Sequence, residues 1–171
     1  MTLTQLLFSF KGRINRKPWW VASLAAGFTA SLLTAILEVL ARSSGETIIN
    51  PVTHTFEPTG ILGLAISVIG LVNAWIAFAL SFKRLHDRDR SGWWLLWQIF
   101  VITVAVILIV IAIAVPKEHG ALWYVLAGAA GLAAFAISVW LFVQIGFLKG
   151  TEGPNRFGPD PLGAARDDAQ L

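Results

Sequence analysis

No cysteine occurs among the 171 residues. Disulfides, a thiol nucleophile and a thiolate metal site are therefore excluded. Charge is also scarce: Asp, Glu, Lys and Arg together make up 13% of the chain, about half the usual share of a soluble domain. Acid is the scarcer sign, with 10 acidic residues against 13 basic ones. Apolar residues fill the rest of the composition. They account for 56% of the chain, and the mean hydropathy is +0.70. One domain of this length cannot hide that much apolar surface in its own core. A bilayer is the solvent the composition calls for.

Four stretches contain no Lys, Arg or Asp: 19–40, 60–82, 93–115 and 121–148. Each is longer than the roughly 20 apolar residues needed to cross a membrane. A segment in hydrocarbon must satisfy its own backbone, so each is predicted to be a helix. The expected fold is all-α, an integral membrane four-helix bundle in a single domain over 1–163, with 164–171 a disordered tail. The fourth stretch would be about 42 Å long against a hydrocarbon core of about 30 Å, so it should tilt or protrude. A cleavable signal peptide is the competing reading of the first stretch. Its end, LEVLARSSG, carries Glu38 and Arg42 where small neutral residues are wanted. A retained anchor is expected instead.

The basic residues are distributed unevenly. Lys11, Arg13, Arg16 and Lys17 precede the first stretch, and Lys83, Arg84, Arg88 and Arg90 lie between the second and third. Lys149, Arg156 and Arg166 follow the fourth, which leaves only Arg42 and Lys117 for the other connections. The positive-inside rule places both termini in the cytoplasm. Topology accounts for these charges without nucleic acid as a partner. Contact with anionic lipid headgroups is expected, at about 1 kcal/mol per basic residue near the surface. Trp19, Trp20, Trp93, Trp94 and Trp97 mark inner helix ends, and Trp123 with Tyr124 an outer one. Trp75 and Trp140 sit deeper and are expected to pack.

At the N-terminus, Leu3, Leu6, Leu7 and Phe10 fall on one helical face, which suits a short interfacial helix. ETIIN and VTHTFE flank Pro51 and can pair as a small hairpin, with His54 a solvated loop residue. The five-residue connection PKEHG makes the last two spans neighbours. Small faces are expected to carry helix packing: Ala22, Ala26, Ala30 and Thr34 beside Ser23, Gly27, Ser31 and Ala35 in the first span, Gly63, Ser67, Gly70 and Ala74 in the second, and Gly128, Gly131 and Ala134 in the fourth. The third span is bulky, and much of it should face lipid. Asn73, Gln98 and Gln144 are amides inside the bilayer. Each needs a partner, by interhelical hydrogen bonding or by lining a permeation path.

Chemistry concentrates in three polar motifs: FSFKGRINRKPWW, KRLHDRDRSGWWLL and GTEGPNRFGPDPL. They are expected to meet as one polar cap that draws on Lys11, Gly12 and Arg13, on Arg84, His86, Asp87, Arg90, Ser91, Gly92 and Trp93, and on Asn155, Arg156, Gly158 and Asp160. His86, Asp87 and Asp89 are possible metal ligands, but Arg84, Arg88 and Arg90 alternate with them and would pair with the acids. His86 could serve as a general base, yet no serine or cysteine nucleophile is coupled to it. No metal and no cofactor are therefore expected. Ser91 before Gly92 and Trp93 is a candidate N-cap for the third span. Asn155 and Asp160 can bond their own backbone, Arg156 can reach Asp87 or Asp89, and Phe157 can dock under the helices.

These motifs, in this order and across nearly the whole chain, resemble domain-of-unknown-function family 805, small proteins of the bacterial inner membrane. The resemblance implies a four-helix integral membrane protein and no established biochemical activity. Two departures stand out. Asp89 occupies a position where the family pattern has glycine, which puts a tight turn in question. The region from Phe100 to Gly146 is also longer than in compact members. The functional expectation is a non-enzymatic module that assembles with itself or with another membrane protein. A small transport or permeation subunit using Asn73, Gln98 and Gln144 is the alternative. A membrane enzyme using His86 and Asp87 ranks third.

Overall fold

The computed structural model describes residues 1–50, 54–116, 118 and 120–163. Its elements run α1 (Leu3–Phe8), α2 (Arg16–Ser44), β1 (Thr47–Ile49), β2 (Phe56–Pro58), α3 (Gly60–Asp87), α4 (Trp93–Ala114) and α5 (Ala121–Gly146). The expected tail at 164–171 and the Pro51 corner of the hairpin lie outside the described residues. So do positions 117 and 119 of PKEHG.

α2, α3, α4 and α5 are long and apolar enough to cross a membrane, at 29, 28, 22 and 26 residues. Even the shortest spans about 33 Å at 1.5 Å per residue. Charged helix ends extend beyond the apolar runs. α2 begins at Arg16, where the Asn15 side chain accepts the Arg16 N–H at 2.7 Å. Pro18 falls in its first turn, where a missing N–H costs nothing. α3 runs past Phe82 through Lys83, Arg84, Leu85 and His86 to Asp87.

The fourth span ends at Gly146, two residues short of the boundary at 148. Side-chain donors take its last carbonyls and so satisfy the helix end. Arg84 Nε donates to Ile145 O at 2.8 Å, Arg16 donates to Phe147 O at 2.8 Å, and Arg84 also donates to Leu148 O.

The residues cluster into two compact units, through both of which α2 and α3 run. The first comprises Met1–Ser9 and Trp20–Leu80. In it α1 is closed by a capping box between Thr2 and Gln5, and Trp75 donates from its ring nitrogen to Phe8 O at 3.4 Å. Ser9 is extended and ends the helix. Phe10 therefore lies outside α1, and the apolar face stops at Leu7. The expected hairpin is present but short, with Ile48 paired to Glu57 in antiparallel register. His54 is exposed at φ 53°, and its N–H donates to Asn50 O. Trp75, expected to pack, is half exposed.

The second unit comprises Phe10–Trp19 and Ser81–Leu171. Within it α4 and α5 pack along one another. Leu95, Ala105 and Ala112 of α4 and Ala127, Leu141 and Ile145 of α5 are buried. The contact differs from the expected one. Gly128 and Gly131 face open space, as do Gly27 and Gly70 of the other small faces. The close approach uses alanines of the bulky third span, whose remaining side chains are largely uncovered. Trp140, as expected, packs, its ring 5.0 Å from that of Trp94.

Candidate functional site

The three motifs meet in the second unit. The last turn of α3 presents Lys83, Arg84, Leu85 and Asp87, all buried. The chain entering α2 contributes Gly12, Arg13 and Ile14, and the Ile14 N–H donates to Lys83 O at 3.4 Å. Residues leaving α5 wrap the same turn. Thr151 donates its N–H to Asp87 O at 2.7 Å, and Asn155 donates its amide to His86 O at 2.9 Å.

Asp87 and Arg13 form the centre. One carboxylate oxygen of Asp87 accepts from Arg13 Nε at 3.3 Å and Nη2 at 3.2 Å. The other oxygen accepts from Arg84. Arg13 also donates to Thr151 O at 2.6 Å, Gly153 O at 2.8 Å and Gly158 O at 3.2 Å. A planar guanidinium with five fixed donors suits this task, because one residue bridges all three motifs. Gly150 permits the approach: a Cβ there would collide with the Asp87 carboxylate.

His86 is part of the same assembly. Its Nδ1 lies 3.3 Å from Gly12 O, and its ring stacks on Phe157 with centroids 3.9 Å apart and planes at 5°. The Phe82 ring meets it edge-on at 6.0 Å. Phe10, absent from the α1 face, packs on Phe82 at 5.2 Å. Phe157 thus docks as expected.

The turn after α3 explains Asp89. The Arg90 N–H reaches Leu85 O at 2.9 Å and the Asp89 N–H reaches His86 O at 3.0 Å. This is a Schellman ending, and its closing residue must be left-handed. Asp89 takes that conformation at φ 53°, which Asp tolerates better than most side chains. The tight turn therefore forms without glycine. Asp89 also pairs with Arg156 at 3.1 Å on the exposed side, one of the two acids that Arg156 was expected to reach. Arg156 covers Phe157, and Arg90 lies over the Trp140 ring at 5.2 Å. Arg88, whose partial burial lowers its pKa, donates to Lys149 O at 2.6 Å.

The helix is assigned from Trp93, and Gly92 before it is already in helical conformation without a side-chain cap. The Ser91 hydroxyl accepts the Trp93 N–H at 3.3 Å, two residues on, as an N-cap serine does. Trp93 is exposed. Gly92 is buried, and a Cβ there would strike the Phe82 ring. Lys11 is exposed beside Gly12, which is at φ 90°. Asn155 accepts the Phe157 N–H, and Asp160 accepts the Gly153 and Leu162 N–H groups. Asn155 and Gly158 exchange backbone bonds at 3.0 Å.

The amides within the spans have different environments. Gln98 donates to the Ser138 hydroxyl at 3.0 Å, joining α4 to α5. Gln144 is buried, and its side-chain oxygen has no partner among the described residues. Asn73 lines a shallow cleft in the first unit with Ser31, Thr34 and Glu38. No group of three His, Cys, Asp or Glu gathers among the described residues.

Sequence reasoning missed the capping of α5 by Arg16 and Arg84, the bracing by Thr151, and the need for Gly150. The first left a faint signal, since Arg16 and Arg84 sit in motifs already judged to meet.

The sequence profile described as "Protein of unknown function (DUF805)" matches residues 7–159. The uncharacterized protein YiiR of Escherichia coli strain K12 is 31% identical over 165 residues, covering 94% of this chain and 90% of YiiR. The inner membrane protein YhaH of the same strain is 27% identical over 153 residues, covering 89% of this chain and 86% of YhaH. No solved structure matches the chain. With three motifs joined around Arg13 and Asp87 and four spans attached to them, the chain belongs to the DUF805 family and is a multi-pass protein of the inner membrane.

Proposed function

We propose that the chain is a non-enzymatic membrane module that assembles with itself or with another membrane protein. Its four spans would form a bundle with both termini and the three-motif cap at the cytoplasmic face. There the cap would meet anionic headgroups, and α1 would lie at the interface. The observation that carries this reading is the engagement of the cap's polar side chains. Both Asp87 oxygens are held by guanidiniums, and His86 is clamped between Phe157, Phe82 and Gly12. Such a constellation fixes backbone segments and leaves little freedom for acid–base work. The spans add a second support. In their most apolar windows only 6%, 0%, 11% and 17% of residues are buried, so broad apolar faces remain for lipid or other helices.

Purification in a mild detergent, with mass determined by light scattering, tests the reading. A stable homo-oligomer or a stoichiometric membrane partner is expected. A monomer without partners, at membrane-like protein density, would count against it.

One observation favours the transport alternative. Asn73, Ser31, Thr34 and Glu38 share a cleft, whereas Gln98 is spent on Ser138. A permeation role would thus rest on Asn73, and liposome flux that changes with Asn73→Leu would support it. Absence of flux across a broad solute panel would sink it.

A further inference from the structure

A cleft of about 240 Å³ opens in the second unit where α2 begins and the chain leaves α5. Its wall includes Asn15, Arg16, Asp87, Lys149, Thr151 and Asp160. Charge behind it is unbalanced: Arg13 and Arg84 are buried in the cap, while Asp87 is the only buried acid among the described residues. Asp87 is already shared by two guanidiniums, and Asp160 is committed to two backbone N–H groups.

The wall also holds unused donors. Arg16 gives one nitrogen to Phe147 O, and its other N–H groups have no acceptor among the described residues. The Lys149 ammonium likewise has none, although the Lys149 carbonyl is taken by Arg88. Unused donors of two basic residues in one cleft wall, over two buried guanidiniums that share a single carboxylate, suit an oxyanion. Asp160 and Glu152 on the rim limit how much negative charge can enter. A singly charged phosphodiester satisfies both conditions.

Position selects the source. Arg16 is the first residue of α2, and Lys149 lies three residues beyond the end of α5. Both stand where membrane helices end, at the depth of headgroups.

We propose that this cleft binds the phosphodiester of a phospholipid headgroup, with Arg16 and Lys149 as its ligands. This deepens the lipid-facing part of the reading above by naming a site, and it survives even if the chain is monomeric.

The test uses the full chain, delipidated in a neutral detergent, with phosphatidylglycerol binding followed by native mass spectrometry and thermal stability. Diacylglycerol of the same acyl composition and inorganic phosphate serve as comparison probes. Lys149 is exposed, so Lys149→Gln should fold, and its melting without lipid checks this. Losing one charge-assisted contact should weaken phosphatidylglycerol binding about tenfold. Arg16→Lys offers a second variant that keeps the charge, and it should also weaken binding because its ammonium cannot serve both Phe147 O and the phosphate. Arg42→Gln removes an exposed charge that lines no part of the cleft and should leave binding unchanged. Equal weakening by Lys149→Gln and Arg42→Gln would reduce the effect to diffuse attraction and overturn the site. Equal binding of diacylglycerol would do the same. Inorganic phosphate binding as tightly as the lipid would make it a soluble-anion site and overturn the lipid assignment. Oligomeric mass, measured on the same samples, separates this outcome from failure of the assembly reading.

Discussion

Asp87 compensates two cations that water does not reach. Asp87→Asn keeps its shape but leaves Arg13 and Arg84 buried beside a neutral amide. A buried charge stripped of its partner costs about 3–5 kcal/mol, so a large fall in the unfolding midpoint is expected. Arg13→Lys provides a sharper check. It preserves the charge, yet an ammonium cannot span Asp87 and the carbonyls of Thr151, Gly153 and Gly158 at once. If charge alone mattered, Arg13→Lys would melt like the parent; a loss well above 1 kcal/mol is expected because buried carbonyls are left without donors. Sequence reading reached Arg13 and Asp87 as members of one cap. It could not pair them, because they lie 74 positions apart and four arginines competed for the same acid.

Helix endings and helix contacts are set one scale up. The Schellman turn closing α3 uses Asp89 in the left-handed region, where a side chain without local hydrogen-bonding capacity costs about 1–2 kcal/mol. Asp89→Ala is therefore expected to destabilise by about 1 kcal/mol, with loss of the exposed Arg156 pair adding little. Asp89→Gly should match the parent within about 0.5 kcal/mol, since relief of backbone strain offsets the flexibility gained by the unfolded chain. Thermal melts of both variants would reveal the difference, and equal melting would contradict a left-handed requirement. Between α4 and α5, Ser138→Ala removes the hydroxyl that Gln98 uses. Bonds of this kind average about 0.6 kcal/mol in membrane proteins, so a small loss is expected, against essentially none for Ser67→Ala, whose hydroxyl donates to Gly63 O within α3. The spans were legible because hydropathy over about 20 residues is a strong signal. The packing faces were not, because small residues permit approach without requiring it. Gly128 and Gly131 of α5 face open space, while Ala105 and Ala112 make the contact. The need for Gly92 and Gly150 was equally hidden, since it arises from Phe82 and Asp87, which approach only after folding.

For the whole molecule, sequence identified the number of spans and the grouping of motifs, and the charge asymmetry supplies an orientation to test. A cytoplasm-active reporter fused after Leu171 is expected to be active, and a periplasm-active one silent; the opposite pattern would reverse the orientation. The C-terminal motif shows what distance does to legibility. Its Gly and Pro residues read as an ordered turn, yet Thr151 and Gly153 are read correctly only beside Arg13, near the other end of the chain.

That separation also orders events in time. Arg13 emerges from the ribosome 140 residues before Gly153, which at about 5–20 residues per second is a delay of roughly 7–28 s. Throughout that interval Arg13 lacks the carbonyls that will hold it, and Asp87 emerges only midway. The basic segments that later lock together are thus exposed while the spans are being inserted, when unpaired charge is what keeps a segment from crossing the membrane. The bond network around Arg13 completes only after the last span has left the ribosome. In the proposed orientation, one set of residues first directs insertion and then fastens its result.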